Sequence, residues 1–138
     1  MTHPARIAAT RSMAAVTRRS KEDWLALFAD DAVVEDPVGP SMFDPDGTGH
    51  HGKEAIAAFW DKAIALPERF EFDIVDSFAA GSEVANVGTI SAFFPGDTRI
   101  DTEGVFVYRV DDAGRILSLR AFWEPDRAMA TLRRPDRG

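Results

Sequence analysis

The chain contains no cysteine, which excludes a disulfide framework, a thiol nucleophile and any thiolate metal site. Tyrosine occurs once, at Tyr108, and histidine three times, so phenol and imidazole chemistry have few places to reside. No apolar run approaches the roughly 20 residues that a membrane-spanning helix requires. An excess of base is also missing. Against 23 acids stand 16 lysines and arginines, a formal charge of -7, and a nucleic-acid binder would need a basic face instead. The bases are unevenly placed, because Arg6, Arg11, Arg18, Arg19 and Lys21 all precede the first acid, Glu22. A basic, acid-free opening occurs in targeting peptides, but no apolar h-region or small-residue cleavage pattern follows it. The expectation is a soluble cytoplasmic protein with neither a nucleic-acid nor a membrane partner.

What is present points to one α+β domain. The 138 residues are enough to bury a core without staples. Residues 4 to 18 read as a moderately amphipathic helix through Ile7, Ala8, Met13, Ala14 and Val16. Ser20 with Asp23 matches a capping box, opening a second short helix whose buried face is Trp24, Leu25, Leu27 and Phe28. A polar loop over 40–52 follows a short strand, and a third helix is predicted from about Lys53 to Leu66, ended by Pro67. From Phe70 the period changes to two, with Phe72 and Ile74 alternating with Glu71 and Asp73. Further strands are predicted over 84–94, 102–110 and 116–123, joined by short turns at Pro95-Gly96-Asp97 and Asp111-Asp112-Ala113-Gly114. Short turns between consecutive strands imply an antiparallel meander, and helices before strands imply a sheet covered on one face. Residues 1–138 form a single domain on this reading, with about 1–5 and 126–138 as flexible tails.

The most informative stretch is FADDAVVEDPVG, from Phe28 to Gly39. Its first half reads as a helix end, with Asp30-Asp31 marking the break, and Ala32 to Val34 begin an extended segment that Pro37 stops. Strand alternation places Val34 and Asp36 on one face, and Val33 and Glu35 on the other. If Val34 faces the core, so does Asp36. A carboxylate aimed at an apolar interior must find hydrogen bonds, give up its charge or do chemistry.

With these elements in this order, the sequence resembles the ketosteroid isomerase branch of the nuclear transport factor 2-like, or SnoaL-like, superfamily. The likeness runs from about Ala9 to Trp123. It is densest at LFADDAVVEDPVG (27–39), GKEAIAAFW (52–60) and GRILSLRAFW (114–123). It implies a cone-shaped barrel, in which a curved antiparallel sheet wraps around the N-terminal helices and encloses one deep apolar pocket. It also implies a small hydrophobic, steroid-like ligand, no cofactor and no metal, and a homodimer formed through the outer sheet face. Such isomerases move a double bond into conjugation with a ketone, and they illustrate how burial tunes a carboxyl group.

Carried over by position, Asp36 falls on the isomerases' catalytic base. Their oxyanion-stabilising tyrosine falls on Ser12, and their second acid on Phe106, so neither is matched. With Phe106 inward, alternation turns Tyr108 inward as the candidate replacement donor. Trp123 takes the place of a pocket aromatic and adds an indole N–H. Ser12, Thr89 and Ser91 are candidate hydroxyl donors, the last two by alternation with Val87 and Phe93. Phe59, Trp60, Phe93 and Phe106 complete the expected wall. The leading expectation is a steroid delta-isomerase-like protein with Asp36 and Tyr108 as catalytic groups. The alternatives are a non-catalytic binder of steroid- or polyketide-like ligands and a polyketide cyclase-type enzyme.

Blander roles are expected elsewhere. Asp30 and Asp31 read as turn residues at a helix end, and Glu35 as an outward charge. His50 and His51, near Asp44 and Asp46, have no recognised ligand spacing and read as a loop flanking the pocket mouth. Arg120 and Phe122 should face outward, where a second chain would pack. Arg99 and Asp101 superficially match the Arg-x-Asp pair of epoxide hydrolases on the same fold. Their placement after the hairpin turn, and the lack of a second acid on the last strand, mark that match as coincidental.

Overall fold

The computed structural model describes residues 3–134. Helix α1 spans Pro4–Thr17, α2 Lys21–Ala26 and α3 Gly52–Phe59, while strands β1 to β6 span Phe28–Glu35, His50–His51, Arg69–Ala80, Glu83–Phe94, Thr98–Val110 and Ile116–Phe122. The last element is α4, Pro125–Met129. The strands form one curved sheet in the order β2-β1-β6-β5-β4-β3. Strands β3 to β6 are the expected antiparallel meander. Strand β1, however, joins β6 in parallel, a pairing that short turns cannot produce and that the intervening helix and strands make possible.

Local chemistry explains most boundaries. The Ser20 hydroxyl accepts the Asp23 N–H at 3.2 Å, and Glu22 and Asp23 place negative charge in the first turn of α2. Small residues on one face of α1, namely Ala5, Ala8, Ala9 and Ser12, are all buried and let the helix lie close against the sheet. Trp24 packs edge-on to Phe28 at 4.7 Å and tilted on Trp60 at 5.4 Å, tying α2 to β1 and to the end of α3. Beyond Phe59 the helix widens into a π-helical turn, Trp60–Ile64.

The curvature has an identifiable crease. Gly88 and Gly104 face each other across β4 and β5. A Cβ on Gly88 would lie 2.2 Å from the Asp73 carbonyl oxygen, and one on Gly104 would lie 2.4 Å from the Phe122 carbonyl oxygen. Only glycine lets β3 and β6 fold in this closely. A register shift between Ile74 and Asp76 adds a bulge on β3, which increases local twist. The result is a concave face that the helices cap.

Several expectations are corrected. Asp30 and Asp31 do not end a helix; the strand already begins at Phe28, and both acids are exposed on it. Helix α2 is therefore shorter than the apolar spacing predicted, because Phe28 stays buried from a strand as well as it would from a helix. Strand β5 begins at Thr98 rather than Thr102. The ends are also more structured than expected. His3 caps α1, its Nδ1 accepting the Ala5 N–H at 3.1 Å while Nε2 meets the Gly81 carbonyl at 2.7 Å. After 126 the chain continues α4 and then pairs Arg133 with Arg99; the rest of the tail, 135–138, lies outside the described residues. No helix among the described residues is long and apolar enough to cross a membrane.

Candidate functional site

The concave face encloses a cavity of about 370 Å³, within the usual range for small-molecule sites. Its outer part is apolar, walled by Phe70, Ile90 and Phe94 among others, and Met42, Leu66 and Met129 stand exposed at its rim. Polar groups gather at the inner part: Ser12, Asp36, Asn86, Tyr108 and the indole of Trp123. A ligand entering this cavity therefore meets an apolar sleeve first and hydrogen-bonding groups last.

Asp36 is carried in at the end of β1, where the parallel pairing with β6 holds the chain. Val34 is fully buried, and the Val38 N–H bonds the Ala121 carbonyl at 2.9 Å, so the intervening Asp36 is clamped on both sides. Its Oδ1 accepts the Trp123 indole N–H at 2.6 Å. Burial pushes the Asp36 carboxyl above the usual carboxylate range, and the Trp123 N–H partly opposes this by favouring the charged form. A carboxyl raised in this way is more basic than an exposed one and can exchange a proton with a group placed in the cavity.

The phenol of Tyr108 also points inward. Its hydroxyl lies 2.9 Å from the Ser12 Oγ, which in turn accepts the Trp24 indole N–H at 3.0 Å. Because the indole can only donate, the Ser12 hydroxyl hydrogen is free to go to Tyr108, leaving the phenol proton available to the cavity. Burial raises the Tyr108 pKa well above its ordinary value, and the Asp36 charge raises it further. The phenol is thus a neutral donor at physiological pH.

Of the expected wall, the structure brings together Ser12, Asp36, Phe59, Phe106, Tyr108 and Trp123 around the cavity. It does not place Trp60, Thr89, Ser91 or Phe93 there. Trp60 is buried against Trp24 in the core. Thr89, Ser91 and Phe93 occupy the outer face of β4, because the inward row is Val84, Asn86, Gly88, Ile90, Ala92 and Phe94. Alternation alone does not choose between the two rows, because both carry apolar side chains. The outer row is itself covered: Phe93 lies under the guanidinium of Arg69 at 3.7 Å, and Ser91 donates to Asp101 at 2.6 Å. The missed members of the site are chiefly Trp24 and Asn86. Asn86 was legible as the one polar residue in an otherwise apolar row.

The remaining candidates lie away from the cavity's inner end. Arg99 and Asp101 pair on the outer face at 2.8 Å. There Asp101 also binds Arg133, and its backbone N–H donates to the Thr131 Oγ1 at 2.8 Å. Partial burial works against the Asp101 charge, but bonds from Ser91, Arg99 and Arg133 hold its pKa below the usual range. Glu35 faces out and meets Arg120 at 3.5 Å, and Phe122 is exposed beside that arginine. His50 packs on Phe59 at 4.9 Å, and His51 turns instead to the Thr48 carbonyl at 2.7 Å. Among the described residues no three acidic or imidazole side chains converge as a metal site.

A curved sheet capped by helices, with one carboxyl at the inner end of an apolar cavity, defines a cone-shaped α+β ligand-pocket protein. Comparison with known proteins narrows this. The SnoaL-like domain family matches residues 9–119, and the chain belongs to that family, whose fold is nuclear transport factor 2-like. A steroid delta-isomerase of Nocardioides simplex is 30% identical over 131 residues, covering 95% of this chain and 98% of that one. A delta-5-3-ketosteroid isomerase from a Mycobacterium species is 39% identical with a TM-score of 0.84, covering 96% of this chain and 98% of that one. A Mycobacterium tuberculosis protein, solved in complex with estradiol-17β-hemisuccinate, is 40% identical with a TM-score of 0.84, covering 91% of this chain and 97% of that one.

Proposed function

We propose that this protein is a steroid delta-isomerase-like enzyme acting on a polycyclic ketone, with Asp36 as the base and Tyr108 as a donor to the ketone oxygen. The observation that carries the reading is the Asp36 carboxyl, raised in pKa at the inner end of an apolar cavity and held by a single indole N–H. The ionised carboxylate takes a proton from the carbon between the carbonyl and the double bond. The electron pair moves onto the carbonyl oxygen, giving a dienolate that the neutral Tyr108 phenol stabilises. Asp36, now protonated, returns the proton to the far end of the conjugated system, which restores the carbonyl and leaves the double bond conjugated with it. Atoms and charge balance without a cofactor.

A second reading is favoured by a specific feature. Carried over by position, the isomerases' tyrosine falls on Ser12 and their second acid on Phe106, and a pocket without those two groups binds such ligands without turning them over. Incubation with a β,γ-unsaturated steroid ketone, following conjugated-enone absorbance, separates the two. The isomerase reading expects turnover that falls about 10²–10⁴-fold in Asp36→Asn. Turnover no faster than that variant, with retained binding of a phenolic steroid, leaves the binder. Failure of steroid ketones alone, with closure of a polyketide chain, would point to a cyclase. The exposed Phe78 and Phe122 on the outer sheet face support the expected pairing of two chains there, which sedimentation would test.

A further inference from the structure

We propose that the side-chain amide of Asn86 is a second donor to the ligand's carbonyl oxygen, beside Tyr108, and that Arg6 and Ser77 hold it in that role. This rests on the reading of the pocket as a ketone site. Asn86 lies on the inward row of β4 and is only 4% exposed, yet it lines the cavity. An amide in an apolar wall is costly unless its groups are partnered. Half of this one is, since Oδ1 accepts the Ser77 hydroxyl at 2.7 Å.

Arg6 settles which way the amide faces. Its Nε donates to the Ser77 Oγ at 3.0 Å, and its Nη2 to the Ser77 carbonyl at 3.4 Å. A guanidinium has no acceptor, so the Ser77 hydroxyl hydrogen is directed at Asn86, and the atom it meets there is the amide oxygen. No hydrogen bond joins the NH2 group to an acceptor among the described residues, and Asn86 lines the cavity, which leaves that group to a ligand there. It is not sealed away either, for the one buried side-chain polar atom without a partner among the described residues is the His50 Nε2. The chain of bonds from Arg6 through Ser77 to Asn86 carries positive charge at its outer end. Each bond polarises the next, which makes the inner N–H a better donor.

The placement suits a single ligand oxygen. Asn86 is paired with Phe106, and its neighbour on the inward row, Val84, with Tyr108. Asn86 and Tyr108 are therefore diagonal neighbours on one face, with backbones roughly 7–8 Å apart. A carbonyl oxygen has two lone pairs, one for the phenol and one for the amide. A ligand lacking that oxygen would leave the amide buried and unpaired, so the arrangement selects for an oxygenated end.

The test measures binding of testosterone and of androst-4-en-17β-ol, which lacks the C3 oxygen, to the full chain and to Asn86→Leu and Ser77→Ala. The unaltered protein should prefer the ketone by about tenfold or more. Asn86→Leu should lose most of that preference, weakening the ketone and binding the deoxo steroid more tightly than before, because no buried amide is then left unpaired. Ser77→Ala, which frees the amide to rotate, should lose part of it. A purely structural role would weaken both probes alike. That result, or an intact preference in either variant, overturns the proposal while leaving the pocket's ketone reading in place. If Asn86→Leu does not fold, Ser77→Ala decides the matter by the same criterion. Failure of the unaltered protein to bind either steroid would overturn the pocket reading, and the role of Asn86 with it.

Discussion

Replacing Trp123 by Phe removes one N–H from the site and leaves an aromatic ring in place. That N–H meets the Asp36 carboxylate at 2.6 Å. Hydrogen bonds to a charged group contribute about 1.5–3 kcal/mol, and one pKa unit corresponds to about 1.4 kcal/mol. Losing the bond should therefore lift the Asp36 pKa further. The sign for stability follows from proton linkage. Asp36 already titrates above its ordinary 3.8, so the folded state holds a proton that the unfolded state has released, and stability falls as pH rises through that window. Trp123→Phe extends the window upward. Its destabilisation relative to the unaltered protein should therefore grow by about 1.5–3 kcal/mol as pH rises through that window. The cost of exchanging indole for phenyl is the same at every pH and drops out of that difference. Urea unfolding across a pH series reads the effect, and carboxyl carbon NMR of Asp36 reads the pKa directly. The acid limb of the activity profile should move up by the same amount. A destabilisation that is flat with pH, together with an unshifted Asp36 resonance, would refute the claim that the indole tunes this carboxyl.

Two further outcomes are expected. Tyr108→Phe should lower turnover by about a hundredfold while changing stability by only about 1 kcal/mol, because Ser12 keeps the Trp24 N–H; unchanged turnover would remove Tyr108 from the site. Gly88→Ala should destabilise the fold by about 1–3 kcal/mol or more in urea unfolding, since the new methyl would meet the Asp73 carbonyl at 2.2 Å. An unchanged midpoint would mean that the crease does not depend on that close approach.

Much of the architecture was readable from local chemistry. The switch from a helical period to an alternating one at Phe70, the capping pair Ser20 and Asp23, and the turn residues at 95–97 and 111–114 each act over a few residues. They need no tertiary context to be interpreted. The inward direction of Asp36 was legible from its two-residue spacing to the buried Val34, and the β1–β6 pairing with the Val38–Ala121 bond holds it there. Alternation from Phe106 likewise turned Tyr108 toward the cavity, where both side chains lie.

Tertiary structure decided the rest, wherever one strand had two plausible faces or one group depended on a distant partner. On β4 both rows are apolar enough to be inward, and the choice falls to the Gly88–Gly104 crease and to the arginines that cover Phe93. The parallel contact of β1 with β6 joins segments far apart in the chain. It is what brings Trp123 to Asp36, a bond spanning 87 residues. The role argued for Asn86 depends on Ser77 and on an arginine from α1. Local pattern records which side of a strand a residue occupies, because the backbone alone sets that. Which polar group it meets there depends on how the sheet curls, and the curl is a property of the whole chain.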